Sequence, residues 1–340
     1  MTARAGDPAH GRTLRGEWVD ALLPAEAPDH RSRLCDRHGI PANAIREPMC
    51  RIPLDDFSAE LQHLAELRRE PLIGIRQAAR ARPRDLFYYL MAAQDRVSTA
   101  LDHLVRFGDL LLAGTPIRLE MGSRGEAQVV WPTLDAAHRH VSEAALMMLR
   151  QILVEIAGPE LRCEEVALHH GAIAPLADYE SAFGCPVRFD RSAHRLVLSA
   201  AALDLRTRRP NSQVAERLRR FATREREVLA SGTTRERVQL VLRAAFEDGA
   251  DPSHAAVAQR LVSPPQRLQR ALRREGTSFH AIAQAVRLDL AIRLLKAGEL
   301  TLAEVAQHLG FADKSSFFRA FKRWTGRAPG AFVLDSAANS

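Results

Sequence analysis

The feature that most limits how this chain can fold is a short pattern near its C-terminus that occurs twice. Val257, Ala258 and Leu261 recur as Val305, Ala306 and Leu309 at an offset of 48 residues. Leu268, Arg270 and Leu272 recur as Phe317, Arg319 and Phe321 at an offset of 49, and Gly276 recurs as Gly326 at an offset of 50. A small residue such as Ala258 or Ala306 lets two short helices cross closely at a steep angle. The apolar pair four apart then turns the second helix inward, as in a helix-turn-helix. Ser263 reads as an N-cap with Pro264 at the first helical position. Thr301 and Glu304 have capping-box spacing, and Gly310 stands where a turn calls for positive φ, which glycine adopts without strain. A plain helical bundle would not explain why the outward residues of both copies are Gln, Arg, Lys and Ser.

Between the copies, Phe279, Ile282, Val286, Leu290 and Leu294 form one apolar stripe, and Ala285, Leu288, Ile292 and Leu295 a neighbouring one. One helix over Phe279 to Lys296 is predicted, about 27 Å long at 1.5 Å per residue. That is near the ~34 Å between successive major-groove faces of a duplex. A helix from Arg235 to Asp248 precedes the first copy.

Charge follows the same division. Residues 206–340 hold 24 Lys and Arg against 13 Asp and Glu, whereas residues 1–205 hold 24 against 28. A basic segment attached to a mildly acidic one suits a polyanionic partner. No stretch of 18 uncharged apolar residues is present, so no membrane span is expected. The opening residues lack a secretory pattern, and residues 1–19 are expected to be a disordered tail. Cys35, Cys50, Cys163 and Cys185 are too scattered for a disulfide framework or zinc ribbon and read as reduced thiols of a cytoplasmic protein.

The long N-terminal part reads as helices followed by mixed strands and helices. Helical spacing runs from Leu54 through Leu67 and again from Leu86 to Leu112. Ile117–Met121 and Glu126–Trp131 alternate around a Gly-Ser-Arg-Gly turn, which predicts a hairpin. A helix from His140 to Ala157, strands at Cys163–His169, Val187–Phe189 and Arg195–Leu198, and a short helix at Asp178–Phe183 complete an α+β domain over 20–205. A charged helical linker over 206–234 carries the apolar stripe Val214, Leu218, Phe221. It joins the domains, pairs with a second copy, or is a solvated spacer.

The run from Leu302 to Phe311, with Phe317 to Pro329, resembles the signature of AraC-type regulators, and the first copy, Leu268 to Phe279, is similar. After Pro329 the family's Tyr-Arg pair is replaced by Gly330-Ala-Phe332-Val333, which leaves Phe332 in the aromatic place and removes the basic contact. Ile52-Pro53, the helix ending at Leu112, and Phe183-Gly-Cys-Pro-Val187-Arg-Phe189 resemble the arabinose-binding-type regulatory domain of one branch of these regulators, which is not a cupin-type barrel. The resemblance implies an all-α DNA-binding domain over 235–335 with two helix-turn-helix units. It also implies double-stranded DNA and RNA polymerase as partners, a small-molecule effector of unknown identity, a homodimer, and no cofactor; activator is the role expected, with repressor left open by the sequence.

Within that frame, Gln266, Gln269 and Arg270 are expected to read bases in one groove segment, with Lys314, Ser315, Ser316 and Arg319 approaching the next. Arg267, Arg273, Arg274, Lys322 and Arg323 are expected to hold phosphates. For Arg319 an ion pair inside its own lobe is the competing role. The rival function class is an enzyme or metal sensor fused to a DNA-binding tail. It would draw on His138, His140, His169 and His170, but no nucleophile elbow, paired zinc motif or phosphate loop accompanies them, and no catalytic or metal-ligating set is expected. A purely architectural DNA binder is a further rival, and the size of the N-terminal domain argues against it.

Overall fold

The computed structural model describes residues 12–24, 28–40, 45–46, 50–81, 84–113, 116–123, 125–131, 136–261, 263–298 and 300–332. Part of the expected tail (1–11), the Gly114-Thr115 break, Arg124 of the hairpin turn and Val333 lie outside them. The chain divides into two units, Met1–Leu229 and Ala230–Ser340.

In the first unit the elements are, in order, β1 (Thr13–Arg15), α1 (Gly16–Leu22), α2 (Pro28–His38), β2 (Arg51–Pro53), α3 (Leu54–Arg68), α4 (Ile73–Arg80), α5 (Leu86–Ala92) and α6 (Val97–Leu111). There follow β3 (Leu112–Ala113), β4 (Arg118–Met121), β5 (Ala127–Trp131), α7 (Arg139–Ala157), β6 (Cys163–Ala167), α8 (Leu176–Phe183), β7 (Val187–Arg188), β8 (His194–Leu198), α9 (Ala200–Asp204) and α10 (Ser212–Ala230). A three-stranded sheet has the order β2-β1-β3 and a five-stranded sheet the order β4-β5-β8-β6-β7. Neither closes into a barrel. Among the described residues, only β6 and β7 pair in parallel.

Alternation decides the faces of the larger sheet. His194, Leu196 and Leu198 of β8 are buried while Arg195 and Val197 are half-exposed. The apolar helix α7 lies against β8 and packs tightly on α4. Gly74 permits that approach, since a Cβ there would stand 2.1 Å from the carbonyl oxygen of His140. The four cysteines are free thiols, and burial, followed by the neighbouring Cys185, pushes the Cys163 thiol up to about 12.

Two expectations need correction here. Residues 13–19 are not a tail: β1 is the central strand of the smaller sheet, and Trp18 of α1 is buried. Its short apolar content hides this, because a three-residue central strand carries no periodicity. Residues 206–211 are not a free linker either. Thr207 N–H donates to Asp95 O (3.0 Å), Arg208 N–H to Ile156 O (2.7 Å) and Asn211 N–H to Ala93 O (2.9 Å).

Helix α10 is then fixed by charge. Arg15, at the end of β1, donates from Nη1 to Glu225 Oε2 at 2.8 Å and from Nε to Glu17 Oε2 at 2.7 Å. Arg15 is 2 % exposed and Glu225 5 %. Burial pushes the Glu225 carboxyl up, and the Arg15 guanidinium opposes that shift. The nearby Arg51 donates to the carbonyl of Asp109 (2.9 Å) and to that of Leu110, closing the end of α6. Burial, then the charge of Arg15, pushes the Arg51 guanidinium down to about 10. Removing one partner from a buried pair leaves the other charge uncompensated. Arg15→Ala should therefore lower the unfolding free energy of this unit by about 3 kcal/mol in urea titrations, while the double change Arg15→Met, Glu225→Leu should recover most of it. Equal losses in the single and double variants would contradict the pairing.

Candidate nucleic-acid interface

The second unit is helical throughout its described residues: α11 (Thr234–Glu247), α12 (His254–Arg260), α13 (Pro265–Arg274), α14 (Phe279–Ala297), α15 (Leu302–His308) and α16 (Lys314–Thr325). Helices α12 and α13 pack on each other, as do α15 and α16, while α11 and α15 both contact α14.

Each start and stop has a local chemical cause. Thr233 and Glu236 form a capping box on α11, and Thr301 and Glu304 another on α15. Ser253, Ser278 and Asp313 cap α12, α14 and α16 with their side-chain oxygens. Asp313 accepts from both N–H and Oγ–H of Ser316 at 2.8 Å, and these bonds hold its carboxyl below the usual range. Glu275 is partly desolvated, yet N–H bonds from Arg235 (2.8 Å) and Thr234 (2.9 Å) win and hold its carboxyl down. That bond ties the end of α13 to the start of α11. Gly310 has φ +73°, as its turn requires. Ser263 is not the cap of α13: Pro264 takes that position and Pro265 the first helical one. Proline needs no amide donor there, and the N–H of Ser263 instead donates to Ala258 O at 2.9 Å, closing the turn.

Two helices now present equivalent faces. In α13, Leu268 and Leu272 are buried, while Gln266, Arg267, Gln269, Arg270, Arg273 and Arg274 are exposed. In α16, Phe317, Ala320 and Phe321 are buried, Ser316 is half-buried, and Lys314, Ser315, Arg319, Lys322 and Arg323 are exposed. Arg319 reaches Ser316 Oγ at 3.4 Å, and among the described residues no ion pair joins it to an acid. Phe332 lies edge-on to Phe321, with ring centroids 5.6 Å apart.

One residue that the sequence reading passed over ties the lobes together. Arg287 of α14 is half-buried between the rings of Phe246 (5.2 Å) in α11 and Phe311 (5.8 Å) beyond α15. Its Nε–H donates to Leu309 O at 3.2 Å, and burial lowers its pKa. The sequence offered little signal, because Arg287 is one of two arginines, with Arg293, set among the apolar residues of α14. Among the described residues, no group of three His, Cys, Asp or Glu side chains is arranged to hold a metal ion, and no helix is long and apolar enough to cross a membrane.

Comparison with known proteins places this geometry. Residues 257–334 match a helix-turn-helix domain, and residues 30–207 match the arabinose-binding domain of AraC transcription regulators. The chain belongs to the AraC-type transcription regulators. It is similar over 92% of its length, and 94% of the relative's, to the ornithine utilization regulator of Pseudomonas aeruginosa, at 26% identity. It is 31% identical to the regulator VirS of Mycobacterium tuberculosis over 51% of each chain. The urease operon transcriptional activator of Escherichia coli is 32% identical over 24% of this chain and 27% of its own. Among solved structures, the regulator CdpR of Pseudomonas aeruginosa aligns over 92% of this chain and 99% of its own, with 22% identity and a TM-score of 0.43. This AraC-type regulator is thus a DNA-binding transcription regulator, with an α+β N-terminal unit and a helical DNA-binding unit.

Cation–π contacts are worth roughly 0.5–2 kcal/mol each, more as they are desolvated. Arg287→Ala should therefore lower the stability of the helical unit by about 1–2 kcal/mol. Fluorescence anisotropy should show a larger loss on a duplex spanning the whole binding site than on one trimmed to half. Equal losses on both duplexes would show that Arg287 does not set the relation between the lobes.

Proposed function

We propose that α13 and α16 are the two base-reading helices, entering successive major-groove segments on one side of the duplex, with α14 as the spacer. The observation that carries this is the repetition: two helices bury an apolar pair and expose Gln and Arg, or Lys, Ser and Arg, in equivalent places. Gln266, Gln269 and Arg270 read bases in one segment, since Arg pairs with guanine and Gln with adenine through two hydrogen bonds each. Lys314, Ser315, Ser316 and Arg319 approach the next segment. Arg267, Arg273, Arg274, Lys322 and Arg323 engage phosphates and set register.

The N-terminal unit, 20–205 in the division proposed from sequence, senses a small-molecule effector. The family of that domain and a full-length relative named for the utilization of a metabolite support this reading. The relative named as an activator supports a role in activation, for which RNA polymerase is the partner we propose. Val214 and Phe221 of α10, 41% and 40% exposed, form with Leu218 a stripe suited to pairing with a second copy.

Arg270→Ala should weaken binding to the preferred sequence by about 1–3 kcal/mol and relax discrimination at one base position. Lys322→Ala should weaken binding to all sequences alike and reduce the slope of log K against log salt by about 1. Selection of bound sequences from a randomised pool, combined with salt titration, separates the two. A uniform loss for Arg270→Ala would remove it from base reading.

A further inference from the structure

In the N-terminal unit, a cleft of about 300 Å³ opens along the C-terminal half of α7, beside α5. That is the small end of the range for sites that hold small organic molecules, about 300–1,000 Å³. Its floor is apolar: Met148 and Ile152 of α7 are buried, and Val154 beside them is half-buried. Gln151 Nε2 donates to Ala79 O at 2.8 Å, which holds this stretch of α7 against the end of α4. Among the described residues that line the cleft, Glu155 is the one carboxylate, and it is already engaged. Arg84 Nη2 lies 2.7 Å from Glu155 Oε1, and Tyr88 donates its O–H to the same oxygen at 2.8 Å. The Arg84 guanidinium also covers one face of the Tyr88 ring, 4.2 Å from its centroid. Burial, then the bond to Glu155, pushes the Tyr88 phenol up, so it stays neutral and its proton stays on that bond.

Arg150 lines the same cleft and is half-buried, yet among the described residues it makes no hydrogen bond and no ion pair. Its charge reaches the thiols of Cys163 and Cys185, which burial keeps protonated. Two acids whose charges also reach Cys185 have other partners. Glu165 pairs with Arg188 at 3.6 Å, and Glu180 accepts from the N–H of Val187 at 3.4 Å. The Arg150 guanidinium lies against the end of α8, where a Cβ on Gly184 would stand 2.8 Å from its Nη2. A helix C-terminus attracts a cation, and that attraction is the competing role for Arg150. Arg209 adds a positive charge that reaches Tyr88. Arg84, Arg150 and Arg209 thus stand against one lining carboxylate that is already shared. What fits is an anion with an apolar body. A carboxylate takes two parallel hydrogen bonds from the planar guanidinium fork, and a hydrocarbon attached to it covers Val154 and the floor. Inorganic phosphate would satisfy the arginine and leave the apolar surface bare. An ammonium would have to compete with Arg84 and Tyr88 for Glu155.

We propose that this cleft binds a small organic monocarboxylate with an apolar body, its carboxylate held by Arg150. This rests on the reading of the N-terminal unit as an effector sensor, and it names the effector's chemistry.

The test is thermal unfolding of the full chain with sodium hexanoate and sodium benzoate, and with sodium phosphate, hexan-1-ol and hexylammonium chloride as comparisons at matched ionic strength. At ten times its dissociation constant, at least one of the two carboxylates should raise the melting temperature by about 4 °C, and the comparisons should not. Arg150→Gln should abolish the shift, whereas an arginine that serves only the end of α8 would leave it in place. Val154→Trp, which fills the cleft and keeps Arg150, should abolish it too, and that variant decides if Arg150→Gln fails to fold. An equal shift from phosphate, a shift from hexylammonium in place of the carboxylates, no saturable shift from either carboxylate, or a shift that survives in either folded variant would each overturn the proposal. A carboxylate shift that depends on Arg150 but leaves DNA binding and transcription in vitro unaltered would support the site and sink the sensor reading beneath it. A DNA-binding response to another class of metabolite, with no carboxylate shift, would sink the site alone.

Discussion

Two short helix-turn-helix lobes can act on one duplex only if something fixes their relation, and Arg287 is where that constraint is met. Its guanidinium lies between an aromatic ring from each lobe and bonds to the backbone of the second. A lysine at this place would keep the charge and lose the planar fork that stacks between two rings. Glu275 plays a matching part within the first lobe by joining the end of α13 to the start of α11. The exposed faces of α13 and α16 inherit their relation from these ties and from the continuous helix α14.

The N-terminal unit uses the opposite electrostatic strategy. Its anchoring interactions are buried ion pairs and hydrogen bonds between distant parts of the chain, with Arg15 gripping Glu225 across 210 residues. That grip makes α10 part of the N-terminal unit up to the boundary with the helical one. A second buried cluster in this unit sets Glu143 within 3.7 Å of His140 and 3.5 Å of His170.

What the sequence made legible was whatever has a local cause. The capping box at Thr301 and Glu304, the left-handed turn at Gly310, the inward pairs Leu268 with Leu272 and Phe317 with Phe321, and the hairpin around β4 and β5 are all set within a few residues. Exposure of the α13 and α16 side chains followed from the same periodicity. The features that escaped have causes far away. A three-residue central strand such as β1 has no pattern of its own, and Arg15 looks like any surface arginine until β1 and α10 are together. The proline pair at 264–265 obscured the helix start because either residue suits the first turn. His140 and His170 were visible as members of two clusters, but Glu143, which joins them, reads in sequence as an ordinary helical glutamate.

In the proposed mode of binding, one chain lays two helices into successive major-groove segments. Hydroxyl-radical footprinting of the full chain, bound as a monomer unit to a site found by genome-wide mapping, tests it most directly. Two protected patches on the same face of the duplex, about 10 base pairs apart, are the expected result. A single patch per chain, or two patches on opposite faces, would contradict the claim.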